Sequence, residues 1–525
     1  MKRKTSRKSK TGFSSHPVAV IDIGSSSVRM AVAQKRPDGS LNILETLQHE
    51  ISLGRDTFTK GYLERSSIED CVASLQSFRK VLDEYGIRDT GQLRVVATAA
   101  IREATNRDAI LDRIAIATDL DVDIIDDAEI NRYTFLSVNE YIKQHPLLGR
   151  TSLVVLEVSG GSTELIQIKA GTVTFSRSFR LGSFRLRETL EEMHAPDESV
   201  VDAMQNQIRR TVESIREALT GRGRFQLLII GGDGRFTAGQ LLPEWDQRSI
   251  ARIPFASLKH FARRIIDSPV DDLVADFRLS YPEAESIGPA LATYARLAEL
   301  LKLRYVYVSP STMRDGILDE MTSGNIWNEE FQNQIINSAV ELGKKYQFDQ
   351  QHATNVAEMS RMLFRKLQQM HRLDARFEMI LYIAALLHEI GLFVSNRSHH
   401  KHSMYLILNS NLFGLSTRDT LFAALVARYH RHAMPRPTHE NYARLEREDR
   451  IIVSKMASLL RIADALDRRY KPKPSSFEIE QTGDHVEIVI KGEVDLTLEQ
   501  LAMKEKGALF ERVYGKSVLI RKAHA

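Results

Sequence analysis

The chain has 525 residues, too many for a single hydrophobic core, and this length predicts three or four domains. Hydrophobic residues make up 43% and charged residues 27% of the chain, as in an ordinary soluble globular protein. The net charge of +4 is misleading, because residues 1–17 contain six lysines and arginines and no acid. We therefore expect a basic, disordered tail at 1–17 and a slightly acidic body that is not a sequence-specific nucleic-acid binder.

Neither a membrane span nor a secretory signal is expected, because no apolar run reaches the ~18 residues that a spanning helix needs. The only cysteine, Cys71, excludes an internal disulfide and suits a reducing compartment. It lies on an apolar helical face, which favours a buried structural thiol over a nucleophile. The expected location is the cytoplasm, with no membrane partner.

The first motif is VAVIDIGSSSVRM at residues 18–30. An apolar strand ends at Asp22, a loop of Gly24, Ser25, Ser26 and Ser27 comes next, and a second strand returns. Glycine and serine loops bring backbone N–H groups and hydroxyls to phosphate oxygens, and a nearby carboxylate suits a hard divalent cation. Taken alone, such a loop is also typical of an ordinary hairpin turn.

The next segments predict a helix over 67–85 and a strand over 93–97 that leads to Arg102. A guanidinium at the carboxyl end of a strand suits phosphate binding, although a surface arginine that opens a helix is an equal alternative. A short strand over 121–125 precedes the acidic turn that contains Glu129 and a helix over 131–142. These acids are either helix caps or a source of a general base.

A second copy of the first motif, LVVLEVSGGSTELIQI, occupies residues 153–168. It contains the carboxylates Glu157 and Glu164 around a loop that is expected to bind phosphate, formed by Gly160, Gly161, Ser162 and Thr163. Two such hairpins predict a duplicated half-domain, with the two loops facing each other across a cleft and holding one phosphate group between them.

Glycines mark strand ends in the remainder of this half. A strand over 227–230 opens into a cluster that includes Gly232 and Gly234, which indicates either a ligand close to the backbone or a tight turn. The last strand of this half is predicted over 305–308 and leads into a helix through Arg314 and Gly316.

From about residue 326 the pattern changes to successive helices, with no strand before Phe477. Histidines and acids stand out here: His352, His388, Glu389, His399, His400, His402, His430 and Asp464. They are ligand types that a divalent metal accepts, but scattered core histidines are an equal alternative. Residues 471–476 are expected to form a linker, and alternating polarity over 477–525 predicts a small α+β domain.

In this order, the motifs resemble the exopolyphosphatase and guanosine pentaphosphate phosphohydrolase (Ppx/GppA) family. The resemblance rests on DIGSSSVRM, TAAIREATNRD, SGGSTEL, the glycine cluster at 231–234, RDGIL and the helical LLHEIGLF…HHKHS…ARYHR…LLRIADALD series. It implies an α/β, actin-like fold of the acetate kinase/hsp70/actin type, with two ribonuclease H-like half-domains at 18–143 and 144–323. An all-α HD-type domain at 324–472 and a small α+β domain at 473–525 would complete the chain.

The resemblance further implies Mg²⁺-assisted, stepwise hydrolysis of the terminal phosphate of inorganic polyphosphate, by a chain that forms a homodimer. By motif match, both loops and Arg102 would hold phosphate, Asp22, Glu157 and Glu164 would hold the metal, and Glu129 would be the catalytic base. The HD-type region could hold a second metal at His352, His388, Glu389 and Asp464.

Four positions depart from the family pattern. Glu157 and Ser159 replace a metal-binding aspartate and a loop glycine, and Glu389 replaces the usual HD aspartate. Ile130 aligns with the general-base glutamate, so Glu129 stands one residue early, and a missing base costs roughly 10²–10⁴ in rate.

The sequence leaves three functions open: an exopolyphosphatase, a phosphatase of guanosine pentaphosphate, and a degenerate sensor that binds polyphosphate or nucleotide without cleaving it. A sugar or acetate kinase is disfavoured, because no clear adenosine-binding pattern is found. Lys471 and Lys473, with residues 399–402, could line the path of a polymeric substrate.

Overall fold

The computed structural model describes residues 16–37, 40–88, 91–191, 197–219, 224–323, 329–467, 477–490 and 496–523. The chain divides into two compact units, Met1–Ile326 and Trp327–Ala525. Almost all of the predicted basic tail, the 471–476 linker and both linker lysines lie outside the described residues. No helix in these ranges is long and apolar enough to cross a membrane.

The first half of unit 1 is built on a five-stranded sheet in the order β3-β2-β1-β4-β5. β2 pairs antiparallel with β1 and β3, whereas β4 pairs parallel with β1 and β5. The elements are β1 (Val18–Ile23), β2 (Ser27–Lys35), β3 (Leu41–Glu50), α1 (Leu53–Lys60), α2 (Arg65–Glu84), β4 (Leu93–Ala97), α3 (Ala99–Arg102), α4 (Arg107–Thr118), β5 (Asp123–Ile124) and α5 (Asp127–Gln144).

The second half repeats this order in a six-stranded sheet, β10-β11-β9-β6-β7-β8. β6, β7 and β8 form the antiparallel meander, β9 and β11 are the parallel strands, and β10 is an added antiparallel edge. The elements are a 3-10 helix (Leu148–Arg150), β6 (Ser152–Val158), β7 (Thr163–Lys169), β8 (Thr172–Phe179), α6 (Ser183–Glu191), α7 (Asp197–Ala218), β9 (Phe225–Ile230), α8 (Gly232–Leu241), β10 (Ala251–Pro254), α9 (Phe255–Asp267), α10 (Val270–Phe277), α11 (Tyr281–Leu300), β11 (Tyr305–Val308) and α12 (Met313–Ser323).

The repeated strand order confirms the predicted α/β fold with two ribonuclease H-like halves. Burial explains why the central strands were predictable: β6 and β9 are apolar runs whose side chains are nearly all buried. In the edge strand β3 half of the residues are exposed and none is buried, so its sequence carries no such signal. Cys71 is buried in the first-half core, as expected, and burial raises the pKa of its thiol to about 12.

Two helices join the halves of unit 1. α12 comes after the last strand of the second half, yet Ile317 and Leu318 pack with Val18 and Val20 of the first sheet. α5 ends the first half, and its polar side chains hydrogen-bond to Glu157 and Glu164 of the second sheet. The two helices also contact each other closely along their length. The halves are therefore held by shared helices as well as by their loops.

Unit 2 is a set of helices followed by a three-stranded sheet in the order β12-β13-β14. α21 and α22 of the sheet region pack on α20. The elements are α13 (Glu329–Lys345), α14 (Gln350–Lys366), α15 (Gln368–His371), α16 (Phe377–Leu387), a 3-10 helix (Ile390–Phe393), α17 (His399–Leu408), α18 (Thr417–Arg428), α19 (Glu440–Ala443), α20 (Arg447–Ala465), β12 (Phe477–Thr482), β13 (His485–Ile490), α21 (Thr497–Lys506), α22 (Ala508–Tyr514) and β14 (Ser517–Lys522).

The contact between α5 and α12 depends on Gly316. A Cβ at this position would lie 2.0 Å from the backbone oxygen of Tyr133. We expect Gly316→Ala to lower the free energy of unfolding of unit 1 by about 1–3 kcal/mol. The new methyl group would clash with the backbone of α5, which cannot move aside as a flexible side chain can. Urea unfolding followed by Trp245 fluorescence, in a Trp327→Phe background that leaves Trp245 as the only tryptophan, measures this change.

Gly239→Ala is the matched control, because a Cβ on this helical glycine of α8 would have no neighbour within 4 Å. It should leave stability unchanged or raise it by about 0.5–1 kcal/mol, through the loss of backbone freedom in the unfolded chain. Equal unfolding midpoints for the two variants would contradict the proposed role of the α5–α12 contact.

Candidate active site

The two glycine- and serine-containing loops meet in unit 1. The first lies between β1 and β2, and the second lies between β6 and β7. A Cβ on Gly160 would lie 3.1 Å from Cβ of Ser25, and one on Gly161 would lie 2.8 Å from Cβ of Ala99. The loops are therefore packed directly against each other.

The start of α6 orients the second loop. The backbone N–H groups of Ser183 and Arg185 donate to the carbonyls of Ser159 and Gly160, both at 2.9 Å. The Arg185 guanidinium Nε donates to the carbonyl of Gly161 at 2.8 Å. Because the carbonyl and the N–H of one trans peptide point in opposite directions, the N–H groups of Gly160 and Gly161 are directed away from α6. Such N–H groups suit an anionic ligand.

A cavity of about 330 Å³ lies where the loops meet. Among the predicted site residues, its lining includes Asp22, Gly24, Ser25, Ser26, Ser27, Glu157, Gly160, Gly161, Ser162, Glu164 and Gly232. Its lining also includes charged residues that were not predicted as site residues: Arg29, Arg235, Arg314, Asp233 and Glu283. Most of the predicted phosphate-binding and metal-binding residues thus share one cavity.

Asp22 and Glu157 lie across from each other at the ends of β1 and β6. Burial and the nearby Asp22 carboxylate raise the pKa of Glu157, whose carboxylate accepts a hydrogen bond from the Thr134 hydroxyl at 3.3 Å. The Asp22 Oδ1 atom is buried and has no hydrogen-bond partner among the described residues. A buried, unsatisfied carboxylate oxygen beside a second carboxylate is an arrangement that a cation would stabilise.

Glu164 is the most deeply buried of the three predicted metal carboxylates. Its Oε1 accepts hydrogen bonds from Ser162 Oγ at 2.7 Å and Ser178 Oγ at 2.9 Å, and its Oε2 accepts one from Asn131 Nδ2 at 3.1 Å. Burial, helped by the charge of Asp127, raises its pKa to about 8 despite these donors. The ionised form is therefore costly in this structure.

Three arginines provide the positive charge. Arg314 Nη1 lies 3.4 Å from Asp22 Oδ2, and Arg235 Nη1 donates to the carbonyl of Ser311 at 3.3 Å. Burial lowers the pKa of both guanidinium groups. Arg314 and Arg29 lower the pKa of Arg235 further, and Arg29 also lowers that of Arg314, although the Asp22 carboxylate opposes this shift. Guanidinium groups that crowd one another in this way favour an anionic ligand between them.

The glycine cluster after β9 brings backbone close to Glu157. Gly231 has φ +105°, a backbone conformation that is strained for any residue with a side chain. A Cβ at this position would lie 3.3 Å from Glu157 Oε1. Gly232 lines the cavity, whereas Gly234 does not, because it packs against Ile229. Burial raises the pKa of neighbouring Asp233 to about 7, although Arg29 opposes the shift.

Three further predicted site residues do not line the cavity. Glu129 forms a capping box with Asp126. The Asp126 N–H donates to Glu129 Oε2 at 3.0 Å, and the Glu129 N–H donates to Asp126 Oδ1 at 2.9 Å. The Arg102 guanidinium donates to the carbonyl of Ile125 at 2.7 Å and forms an ion pair with Asp127. The Thr163 hydroxyl donates to the carbonyl of Leu181. The neighbour of Glu129, Ile130, is in the lining.

The arginines could have been suspected from the sequence. Arg29 is the register partner of Asp22 in the β1–β2 pair, so its position follows from the hairpin that the sequence predicts. Arg235 follows the glycine cluster, and Arg314 opens the RDGIL motif after a strand end. In each case a charged residue stands next to a motif whose ligand is expected to be anionic.

In unit 2 the predicted metal residues also come together. His352 lies on α14, His388 and Glu389 directly follow α16, and Asp464 lies near the end of α20. His352, His388 and Glu389 offer ligand atoms that lie within 4.8 Å of one another, and Asp464 has the same relation to His388 and His430. His430 stood out in the sequence as a ligand type, but the sequence did not assign it to this set.

Known proteins match both units. The model of the Ppx/GppA phosphatase family matches residues 31–324, and that of Ppx/GppA phosphatase domain III matches residues 336–506. A guanosine-5'-triphosphate,3'-diphosphate pyrophosphatase of Pseudoalteromonas atlantica is 24% identical over 473 residues, 86% of each chain. The protein of that name from Photobacterium profundum is 23% identical over 458 residues, 83% of this chain and 86% of its own.

Solved structures agree on the fold. A crystal structure of an exopolyphosphatase from Cytophaga hutchinsonii superimposes with a TM-score of 0.53 at 21% identity. The match covers 59% of this chain and 98% of the other.

The raised pKa of Glu164 predicts a pH-dependent stability. Between the pKa of an unfolded glutamate, near 4.5, and about 8, the native state holds a proton that the unfolded state releases. Stability should therefore be highest below this window and fall as the pH rises through it. Glu164→Gln removes the titrating group, so its unfolding temperature should fall less steeply between pH 5 and about 8 than that of the parent chain.

The exposed Glu140 gives the matched control. In Glu140→Gln the unfolding temperature should depend on pH as steeply as in the parent chain. Asp233, with its pKa near 7, accounts for part of the pH dependence that remains in Glu164→Gln. Parallel curves for the parent chain and Glu164→Gln would contradict a buried, protonated Glu164.

Proposed function

Because the chain belongs to the Ppx/GppA phosphatase family, we propose that unit 1 hydrolyses the terminal phosphoanhydride bond of inorganic polyphosphate. Members of this family are hydrolases. The observation that carries the proposal is the contact of the two glycine- and serine-containing loops over a cavity lined by three arginines. Loop N–H groups, hydroxyls and guanidinium groups bind a terminal phosphate from several sides.

Polyphosphate fits the character of the cavity. Of the described residues that line it, Phe236 alone is aromatic, so the lining offers many partners for phosphate and few for a stacked base. Phosphoryl transfer requires mainly positioning and charge neutralisation. In the proposed mechanism the loops orient the terminal phosphate, and Arg29, Arg235 and Arg314 neutralise the charge of the chain.

Guanosine pentaphosphate is the second candidate substrate. The names of the two curated relatives favour it, and each of them matches more than four fifths of this chain. The terminal phosphate is common to both substrates, so the same loops and arginines would serve either reaction. The two proposals differ only in the group to which that phosphate is attached.

The residues present fit a magnesium ion. Asp22 and Glu157, with Glu164 as a further carboxylate, would hold it, and the unsatisfied Asp22 Oδ1 is the atom that most needs such a partner. When bound, Mg²⁺ neutralises phosphate charge and polarises phosphoryl oxygens. Oxygen ligands in this number are typical of magnesium at phosphate sites.

Phosphate release tests the substrate. Purified full-length protein should release phosphate from long-chain polyphosphate in the presence of Mg²⁺, and chelation of the metal should abolish release. Asp22→Asn should raise the Mg²⁺ concentration needed for half-maximal activity, because it weakens a carboxylate ligand, whereas Glu140→Gln should not. Release from guanosine pentaphosphate alone would select the second candidate. Release from neither substrate by folded protein would favour a non-hydrolytic sensor.

The assignment of Glu129 as general base stays a prediction, and it has its own test. Glu129→Gln should lower kcat by roughly 10²–10⁴ if the carboxylate activates water. Glutamine accepts the same backbone hydrogen bond in a capping box, so stability should be retained. Steady-state kinetics and thermal unfolding of the same preparation separate the two effects.

Asp126→Ala is the control, because it removes the cap but keeps the Glu129 carboxylate. It should lower stability by about 1 kcal/mol and change kcat less than Glu129→Gln does. An unchanged kcat in Glu129→Gln would place water activation on another group.

A further inference from the structure

Four histidine side chains from four different segments form a buried cluster in unit 2. The ring centroids are 5.3 Å apart for His352 and His388, 4.9 Å for His388 and His430, and 5.3 Å for His399 and His430. At most 7% of any of these residues is exposed. All four residues belong to the second compact unit, whereas the two glycine- and serine-containing loops belong to the first.

Each ring is held through Nδ1, by oxygens at 2.6 to 3.3 Å: Asp467 Oδ2 for His352, the Ala385 carbonyl for His388, the Asn396 carbonyl for His399 and the Ala427 carbonyl for His430. A carbonyl oxygen only accepts, so Nδ1 carries the proton in the last three rings and Nε2 presents a lone pair. Histidines that bind metals are held in this way, with the second nitrogen donating to an oxygen.

The Nε2 atoms converge. Nε2 of His399 and Nε2 of His430 are 3.3 Å apart, so their two lone pairs face each other. Nε2 of His388 is buried and has no hydrogen-bond partner among the described residues. Facing lone pairs repel each other, and a buried lone pair without a donor is unsatisfied. A cation among these nitrogens removes both costs.

Two acids complete the ligand sets. The side chains form three sets whose ligand atoms lie within 4.8 Å of one another: His352, His388 and Glu389; Glu389, His399 and His430; and His388, His430 and Asp464. The first two sets share only Glu389. A carboxylate has two oxygens, so Glu389 can serve one ion with each.

We propose that unit 2 binds two divalent transition-metal ions, with Glu389 as the shared ligand. One ion is held by His352 and His388, and the other by His399 and His430. Imidazole-rich sites suit ions such as Fe²⁺, Co²⁺ and Zn²⁺, whereas the oxygen-lined cavity of unit 1 suits Mg²⁺. Asp467 orients His352 from outside the metal sites.

Lys506, at the end of α21, competes with a metal ion for Asp464 in the third ligand set. Its ammonium group is buried and pairs with Asp464 Oδ2. In this structure the lysine therefore occupies the carboxylate that would otherwise be an additional metal ligand. Metal binding through Asp464 requires the ammonium to withdraw, which links the metal site to α21 in the C-terminal part of the chain.

Titration with Co²⁺ tests the proposal, because bound Co²⁺ is visible by its absorption. Full-length protein stripped of metal should bind two Co²⁺ per chain in the presence of excess Mg²⁺, which fills the oxygen-ligand site of unit 1. Glu389→Gln and His399→Gln should each reduce binding to at most one Co²⁺ per chain. Thermal unfolding should also show that Co²⁺ stabilises the parent chain more than these variants.

His371→Gln is the matched control. His371 is equally buried in unit 2, but both ring nitrogens have partners: the Phe364 carbonyl at 2.7 Å and the Leu373 N–H at 3.0 Å. Far-UV circular dichroism establishes that each variant is folded. Two Co²⁺ per chain should remain in this control. Loss of Co²⁺ there to the same extent as in His399→Gln, or fewer than two Co²⁺ on the parent chain, would overturn the proposal.

Lys506→Met tests the competition. The substitution removes the ammonium that competes with a metal ion for Asp464, so the Co²⁺ dissociation constant should fall roughly tenfold, which corresponds to about 1.4 kcal/mol. An unchanged or weaker affinity would overturn the competition between Lys506 and the metal. Because none of these substitutions lies in unit 1, phosphate release from polyphosphate provides a separate readout, and the two proposals can fail independently.

Discussion

The close packing of two loops is the constraint on which the site of unit 1 depends. The second loop fits only because Gly182 has no side chain: a Cβ there would lie 2.3 Å from the carbonyl oxygen of Gly160. Gly160 in turn packs on Ser25 of the first loop. The start of α6 and the second loop thus approach to distances that only glycine allows, and the predicted metal carboxylates Asp22, Glu157 and Glu164 lie on the strands that flank the two loops.

Charge is the second constraint, and it acts in both directions. Burial and neighbouring acids raise the pKa of Glu157 and Glu164, while burial and neighbouring guanidinium groups lower the pKa of Arg235 and Arg314. A single anion would relieve the arginines but aggravate the acids, and a single cation would do the reverse. A phosphate that arrives with a divalent cation relieves both sets. The charge pattern therefore favours a metal–phosphate complex over either partner alone.

The strands that end at the site were predictable from the sequence, because each is a buried apolar run followed by a glycine or an acid. Arg29 and Arg235 were not assigned although each stands next to a predicted motif, because the motif alone does not show which neighbouring side chain lines the cavity. Capping and catalysis could not be separated at Glu129, because an acid at the first turn of a helix satisfies both patterns. Fold information is carried by hydrophobic periodicity, whereas the site depends on contacts between residues far apart in the chain.

Helix α5 shows why it matters that Glu129 stands one residue before the position of the family's general base. Asn131 and Thr134 fix the rotation of the helix, since they bind the carboxylates of Glu164 and Glu157 on the second sheet. Residues two positions apart on a helix point about 200° apart, so Glu129 is directed away from the side that Asn131 faces. The capping box then holds its carboxylate at the helix end. For Glu129 to reach water in the cavity, the first turn of α5 has to open while the Asn131 and Thr134 contacts persist. The cap is therefore the element that has to move in any mechanism that uses this carboxylate as a base.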